Sequence, residues 1–252
     1  MTEMEEVQHP SFRQPTNKDI PIWRYMDLAK YLWMLDRQSL FFARATSLGD
    51  PFEASITRPM FRDRVDRAKE ATKTDHERAE AIIGHGNFMK RFVQDHLVSC
   101  WHMNEHESAA MWKLYSSSSD AVCIRSTYRL LRSRLPQCVF IGEVDYIDYE
   151  TEEFAGTNIF NYIMHKRLSF AHERELRAVF FHMEGSPDTE VYTSQIEPNG
   201  LAMKVDIPSL IEHVFVSPTA APWFVDLVRT MTTKCGFTLP VSQSSLSAAP
   251  LY

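Results

Sequence analysis

The chain has 252 residues, 44% hydrophobic and 12% aromatic, which is enough apolar material for a sizeable core and excludes a largely disordered protein. Its 27 basic and 33 acidic residues leave a formal charge of −6 with the basic groups scattered, so the basic face of a duplex-binding protein is missing and nucleic acid is unsupported as a partner. An acidic start (MTEMEEVQHP), no run of about 18 apolar residues, and four well-separated cysteines without a C-x-x-C pair predict a cytoplasmic protein with reduced thiols and no membrane partner.

In chain order, residues 1–20 with Pro10 and Pro15 read as a tail or a strap over the surface. PIWRYM reads as a strand, and DLAKYLWMLDRQ as a helix capped by Asp27, with Leu28, Tyr31, Leu32 and Leu35 at helical spacing. SLFFARA is a second strand and SLGDPFEAS a turn, whose Asp50-Pro51-Phe52-Glu53 is either a site wall or merely a turn. Residues 60–96 are charged and rich in helix formers, which predicts a helical insertion, with GHGNFM at Gly84 as a loop between helices.

HLVSCWHM then reads as a strand, ESAAMWKLYS as a helix capped by Ser108, SSSSD as a connecting loop, and DAVCIRST as a strand. YRLLRSRL is a helix ended by Pro136, CVFIGEVDYIDY one alternating strand, and NIFNYIMHKRLSF a helix. A strand entered by HERELRAVFF follows, then GLAMKVDI (strand), HVFVSP (strand), APWFVDLVRTMTTKCG (helix) and TLPVSQS (strand). The order predicts an α+β fold: residues 21–252 as a single domain around one mixed, largely antiparallel sheet flanked by helices, with the helical insertion near 60–96.

The chain has only 8 glycines and contains neither G-x-x-x-x-G-K-[ST] nor G-x-G-x-x-G, so a glycine-lined phosphate loop is not expected. HMNEH, from His102 to His106, matches the H-x-x-E-H order of a zinc hydrolase, but that chemistry requires a helix and this stretch reads as a strand end and a turn; no metal is expected. Trp112 and Tyr115, three apart on a helix, share a face that fills a core or stacks on a flat ring. On an extended chain Glu173, Glu175 and Arg177 would share one face and Arg174 the other, giving either a structural ion-pair row or tuned carboxylates at a site.

WRYMD, LFFARATSLGDPFEA, VSCWHM…MWKLYSSSSDAVCI, VDYIDY, and Lys166 followed by HERELR together resemble a bacterial family catalogued as domain of unknown function 2971. The same layout is similar, more distantly, to NAD-consuming ADP-ribosyltransferase folds. That resemblance implies NAD as substrate, a macromolecular acceptor of unknown identity, and a setting in bacterial defence or toxin biology. It implies Arg24 as the first-strand group holding the diphosphate, Tyr115 or Trp112 as the stacking aromatic, and Glu173-x-Glu175 as an E-x-E pair in which Glu175 stabilises the ribosyl cation and Glu173 serves the acceptor. Lys166, Arg177 and Asp50 complete the expected nucleotide-binding set, and Ser126-Thr127 stands where some members carry Ser-Thr-Ser. The alternative is a non-catalytic ligand-binding or sensor module in which the same charges are structural.

Overall fold

A computed structural model describes residues 9–72, 74–115, 120–155, 158–182 and 186–250. The elements run β1 (Pro21–Asp27), α1 (Leu28–Arg37), β2 (Ser39–Arg44), α2 (Arg58–Ala71), α3 (Asp75–Gln94), β3 (His96–Met103), α4 (Ala109–Tyr115), β4 (Ala121–Thr127) and α5 (Tyr128–Arg134). They continue with β5 (Val139–Glu143), β6 (Asp145–Ile147), α6 (Ile159–Met164), β7 (His165–Arg167), a 3-10 helix (Leu168–Glu173), β8 (Glu175–Phe181), α7 (Pro187–Thr193) and β9 (Ile196–Glu197). The last are β10 (Gly200–Lys204), α8 (Ile207–Leu210), β11 (His213–Val216), α9 (Pro222–Lys234) and β12 (Val241–Gln243).

Ten of the strands form one mixed sheet, antiparallel except for β11 with β12. β3 is its pivot. One edge of β3 pairs with β8 along its length, from His96↔Phe181 to His102↔Glu175. The other edge is shared: Leu97 and Val98 pair with β2, whereas His102 and Met103 pair with β1. β1 meanwhile stays with β4 through seven residues, from Pro21↔Thr127 to Asp27↔Ala121. Between Val98 and His102 the sheet therefore splits, and this gap positions the site.

Alternation along β3 and β8 sorts residues between two cores. Leu97, Trp101, Leu176, Ala178 and Phe180 pack with Tyr31, Leu131 and Phe224 of α1, α5 and α9. Val98, Val179 and Phe181 pack on the other side with Phe12, Phe160 and Ile163. β8 is buried throughout, which is why it reads as a near-continuous apolar run after its charged entrance. Phe12 is buried, and Arg13 bridges Glu143 and Asp145 at 3.0 Å each, so the described part of the N-terminal segment lies along β5.

Local signals hold where expected: the Asp27 side chain accepts from Lys30 N–H at 2.7 Å and Ser108 Oγ from Met111 N–H at 3.3 Å. Three expectations are corrected. Gly84 and Gly86 lie inside α3, where a penalty of about 1 kcal/mol each is carried by a 20-residue helix. The single strand expected over CVFIGEVDYIDY is two, because the chain leaves β5 at Val144, whose N–H donates to Glu175 O at 2.9 Å. The helix expected through Phe170 stops at Met164. His165–Arg167 instead pairs in parallel with β6 as a small two-stranded ladder beside the one large sheet. α7, α8 and β9 are further short elements, without a clear periodic signal. The serine loop at 116–119 lies outside the described residues.

Candidate functional site

A cavity of about 790 Å³ opens at the split. Its walls include Arg24 from β1, Trp101 and His102 from β3, Tyr115 at the end of α4, and Glu173 and Glu175 at the entrance to β8.

Glu175 is 6% exposed. Arg177 lies two residues on, hence on the same face of β8, and donates from Nε to Oε1 at 2.9 Å and from Nη2 to Oε2 at 3.0 Å. Lys166 Nζ stands 3.5 Å from the same carboxylate. Burial alone would raise the pKa of Glu175, but the charge and hydrogen bonds of Arg177, then Lys166 and the Cys100 thiol, bring it down to about 2. The result is a desolvated carboxylate that stays ionised. Arg177 is fully buried behind it, with Nη2 donating to Glu53 Oε2 at 3.1 Å and Nη1 to Glu53 Oε1 and the Ile163 carbonyl.

Glu173 does not reach this place by strand alternation. It ends the 3-10 helix, and Arg174 turns the chain with a left-handed φ of 41°. Lys166 brings the two carboxylates together by donating to Glu173 at 2.5 Å while facing Glu175. Burial lowers the pKa of Lys166, and the charges of Glu175 and Glu173 more than reverse this. β3 holds the turn from the other side: Met103 N–H donates to Arg174 O at 2.9 Å and His102 Nδ1 to Glu173 O at 2.6 Å.

Arg24 crosses the gap. Its Nη1 donates to Ser99 Oγ at 2.9 Å and its Nη2 to Phe41 O at 3.0 Å, and its guanidinium lies 5.8 Å from the Trp101 ring centroid. Among the described residues no carboxylate pairs with it, and burial holds its pKa below the usual arginine value.

Of the residues expected at the site, Glu173, Glu175, Arg24 and Tyr115 line one cavity, with Lys166 directly behind the carboxylates. Three lie off the cavity wall. Trp112 is 3% exposed, donates from Nε1 to Glu107 at 3.1 Å, and packs edge-on against Tyr25, so it is a core residue and off the cavity wall. Asp50 is paired with Arg167 at 2.6 Å, and Arg177 is occupied by two glutamates and a carbonyl; neither lines the cavity. The Ser126-Thr127 comparison also fails, because Ser126 Oγ donates to Leu210 O at 2.6 Å and Thr127 caps α5. His102 and His106 share no helix face, and among the described residues no group of three or more His, Cys, Asp or Glu side chains is placed to hold a metal.

Sequence reasoning missed Glu53 as the second partner of Arg177, since no spacing links residues 124 apart. It also missed Ser99 and Cys100, and the place of His102 opposite Glu175, all of which come from strand register. The register pair Cys100↔Arg177 places the thiol beside Glu175, a cross-strand signal that no single segment carries.

No helix among the described residues is long and apolar enough to cross a membrane. No family model matches the chain, so the resemblance to domain-of-unknown-function family 2971 has no such support. No curated protein sequence matches it either. Among solved structures the chain is similar to Thermus sp. 2.9 DarT in complex with ADP-ribosylated single-stranded DNA, at 9% identity over 92% of this chain and 96% of that one, with a TM-score of 0.41. A likeness at that level carries no argument about this chain's activity.

Proposed function

We propose that the protein is an NAD-consuming enzyme of the ADP-ribosyltransferase kind, cleaving the bond between nicotinamide and ribose. The observation that carries this reading is Glu175: a buried, ionised carboxylate on a cavity wall shared with Arg24, a guanidinium without a carboxylate partner among the described residues. Breaking the C1′–N bond sends the electron pair to nicotinamide, which leaves neutral, and builds positive charge on the ribose. A fixed anion beside the ribose stabilises that charge without reorganising at the moment of reaction. Arg24 holds the diphosphate, Tyr115 stacks on the nicotinamide, and Glu173 takes the proton of the attacking acceptor, a macromolecule of unknown identity in transfer or water in hydrolysis. A role in bacterial defence or toxin biology fits this chemistry.

One observation favours a second reading. Both oxygens of Glu175 are already engaged by Arg177, with Lys166 at 3.5 Å, as in a structural network within a non-catalytic binding module. Mass-spectrometric detection of nicotinamide released from NAD, with and without cell lysate, separates the two when wild type is run beside Glu175→Gln. Release that disappears in a folded Glu175→Gln protein supports catalysis. Absence of release from folded wild type removes the catalytic reading and leaves the binding module.

A further inference from the structure

Two neighbouring residues of β3 place a buried polar atom without a partner at the wall of the same cavity. His102 is 3% exposed and Trp101 1%, and neither His102 Nε2 nor Trp101 Nε1 has a hydrogen-bond partner among the described residues. Such atoms are uncommon, because a polar atom buried without a partner loses its hydrogen bonds to water and gains none in return.

The state of each follows from chemistry. His102 Nδ1 faces the Glu173 carbonyl at 2.6 Å; a carbonyl only accepts, so Nδ1 carries the proton and Nε2 is a bare acceptor. Burial, first, and the nearby Arg174 and His172 charges hold the ring neutral against that hydrogen bond. Trp101 Nε1 is a donor only. The two side chains alternate across the strand, and both line the cavity, which opens where the edge of β3 away from β8 has no ladder partner between its β2 and β1 pairs.

Position indicates what each would meet. His102 stands directly opposite Glu175 in the β3–β8 register, and directly opposed residues share a face with Cβ atoms about 5 Å apart. A ligand hydroxyl beside the Glu175 carboxylate is thereby within reach of His102. Trp101 lies beneath the Arg24 guanidinium, the group that holds the diphosphate in the proposed function.

We propose that these atoms are ligand contacts: His102 Nε2 accepts a hydrogen bond from a ribose hydroxyl beside Glu175, and Trp101 Nε1 donates to a diphosphate oxygen held by Arg24. This rests on the reading above for the ligand's identity and adds the residues that recognise it. The ligand then passes through the split, with its sugar on one face of β3 and its diphosphate toward the other.

The test uses ADP-ribose, which has both groups and no nicotinamide to lose. The histidine nitrogens of ¹⁵N-labelled wild type are followed by NMR during titration, and affinities of His102→Asn and Trp101→Phe are measured by calorimetry. Asparagine keeps a donor near the Nδ1 position for Glu173 O and removes the Nε2 acceptor, and phenylalanine keeps a ring and removes the N–H. The expected result is an Nδ1-protonated His102 whose Nε2 resonance shifts on binding, with folded His102→Asn binding about tenfold more weakly, the effect of one neutral hydrogen bond, and folded Trp101→Phe about tenfold or more, since its acceptor is charged. Failure of ADP-ribose to bind, binding that leaves Nε2 unshifted, or unchanged affinity in both folded variants overturns the proposal. These contacts in a protein that releases no nicotinamide would remove the catalytic reading and leave the proposal standing. Nicotinamide release with an unshifted Nε2 would do the reverse.

Discussion

Arg177 is the residue on which the site's electrostatics turn. Its guanidinium spans Glu53 and Glu175 with no exposed surface, and a planar fork is required to serve both carboxylates at once. Arg177→Met would strip the buried side chain of Glu53 of its cation and leave Glu175 with Lys166 alone, 3.5 Å away. We expect a loss of about 3–5 kcal/mol, read as a lower urea midpoint. Glu175 gives a pH dependence of definite sign. Its pKa falls from 4.5 in the unfolded chain to about 2 in the folded one, so its contribution is complete above pH 4.5 and is lost as pH drops toward 2. Melting temperatures taken across that window should fall in wild type, and the part of the slope due to this group should vanish in Glu175→Gln. Both glutamates of the E-x-E were legible as candidates from the sequence. Their union through Lys166 was visible only as proximity in the chain, and the left-handed turn at Arg174 was not visible.

At the scale of elements, local chemistry reads well and corners do not. Asp27 caps α1 with a 2.7 Å hydrogen bond, and Asp27→Ala should lower stability by about 1 kcal/mol, measured by chemical denaturation. The β5–β6 corner carries no glycine or proline at Val144, so the apolar alternation ran on through it unbroken. Gly142 in β5 has a different purpose: a Cβ there would sit 2.7 Å from the Phe12 backbone. Gly142→Ala should therefore push the N-terminal segment off β5. Limited proteolysis should then cut between residues 9 and 20 faster than in wild type, while the rest of the sheet keeps its protection.

For the whole molecule, the split in the sheet is the feature with functional reach. β1 holds to β4 and β2 holds to β10, and β3 touches both only near its ends on that edge. A ligand seated in the gap would bridge the two halves. Hydrogen exchange should slow in peptides covering Arg24–Met26 and Ser99–Trp101 when ADP-ribose is bound, and free protein should exchange faster there than in the fully paired β8. Mass action then predicts a stabilisation of about 2.7 kcal/mol at a hundredfold excess over Kd. Equal exchange with and without bound ligand would place the ligand elsewhere.

The order of the principal strands and helices, the α+β class, and the acidic and basic residues from which a site would be drawn are all legible in the amino-acid order. Those properties are encoded within a few residues: period 2, period 3.6, a capping side chain, a proline after a helix. Which of them meet is set by the folded chain. The Arg177–Glu53 pair spans 124 residues, the His102–Glu175 contact depends on a strand register, and the cavity exists because one strand changes partners along a single edge. Each is a long-range pairing chosen by the packing of two cores on one sheet, and no local pattern specifies it.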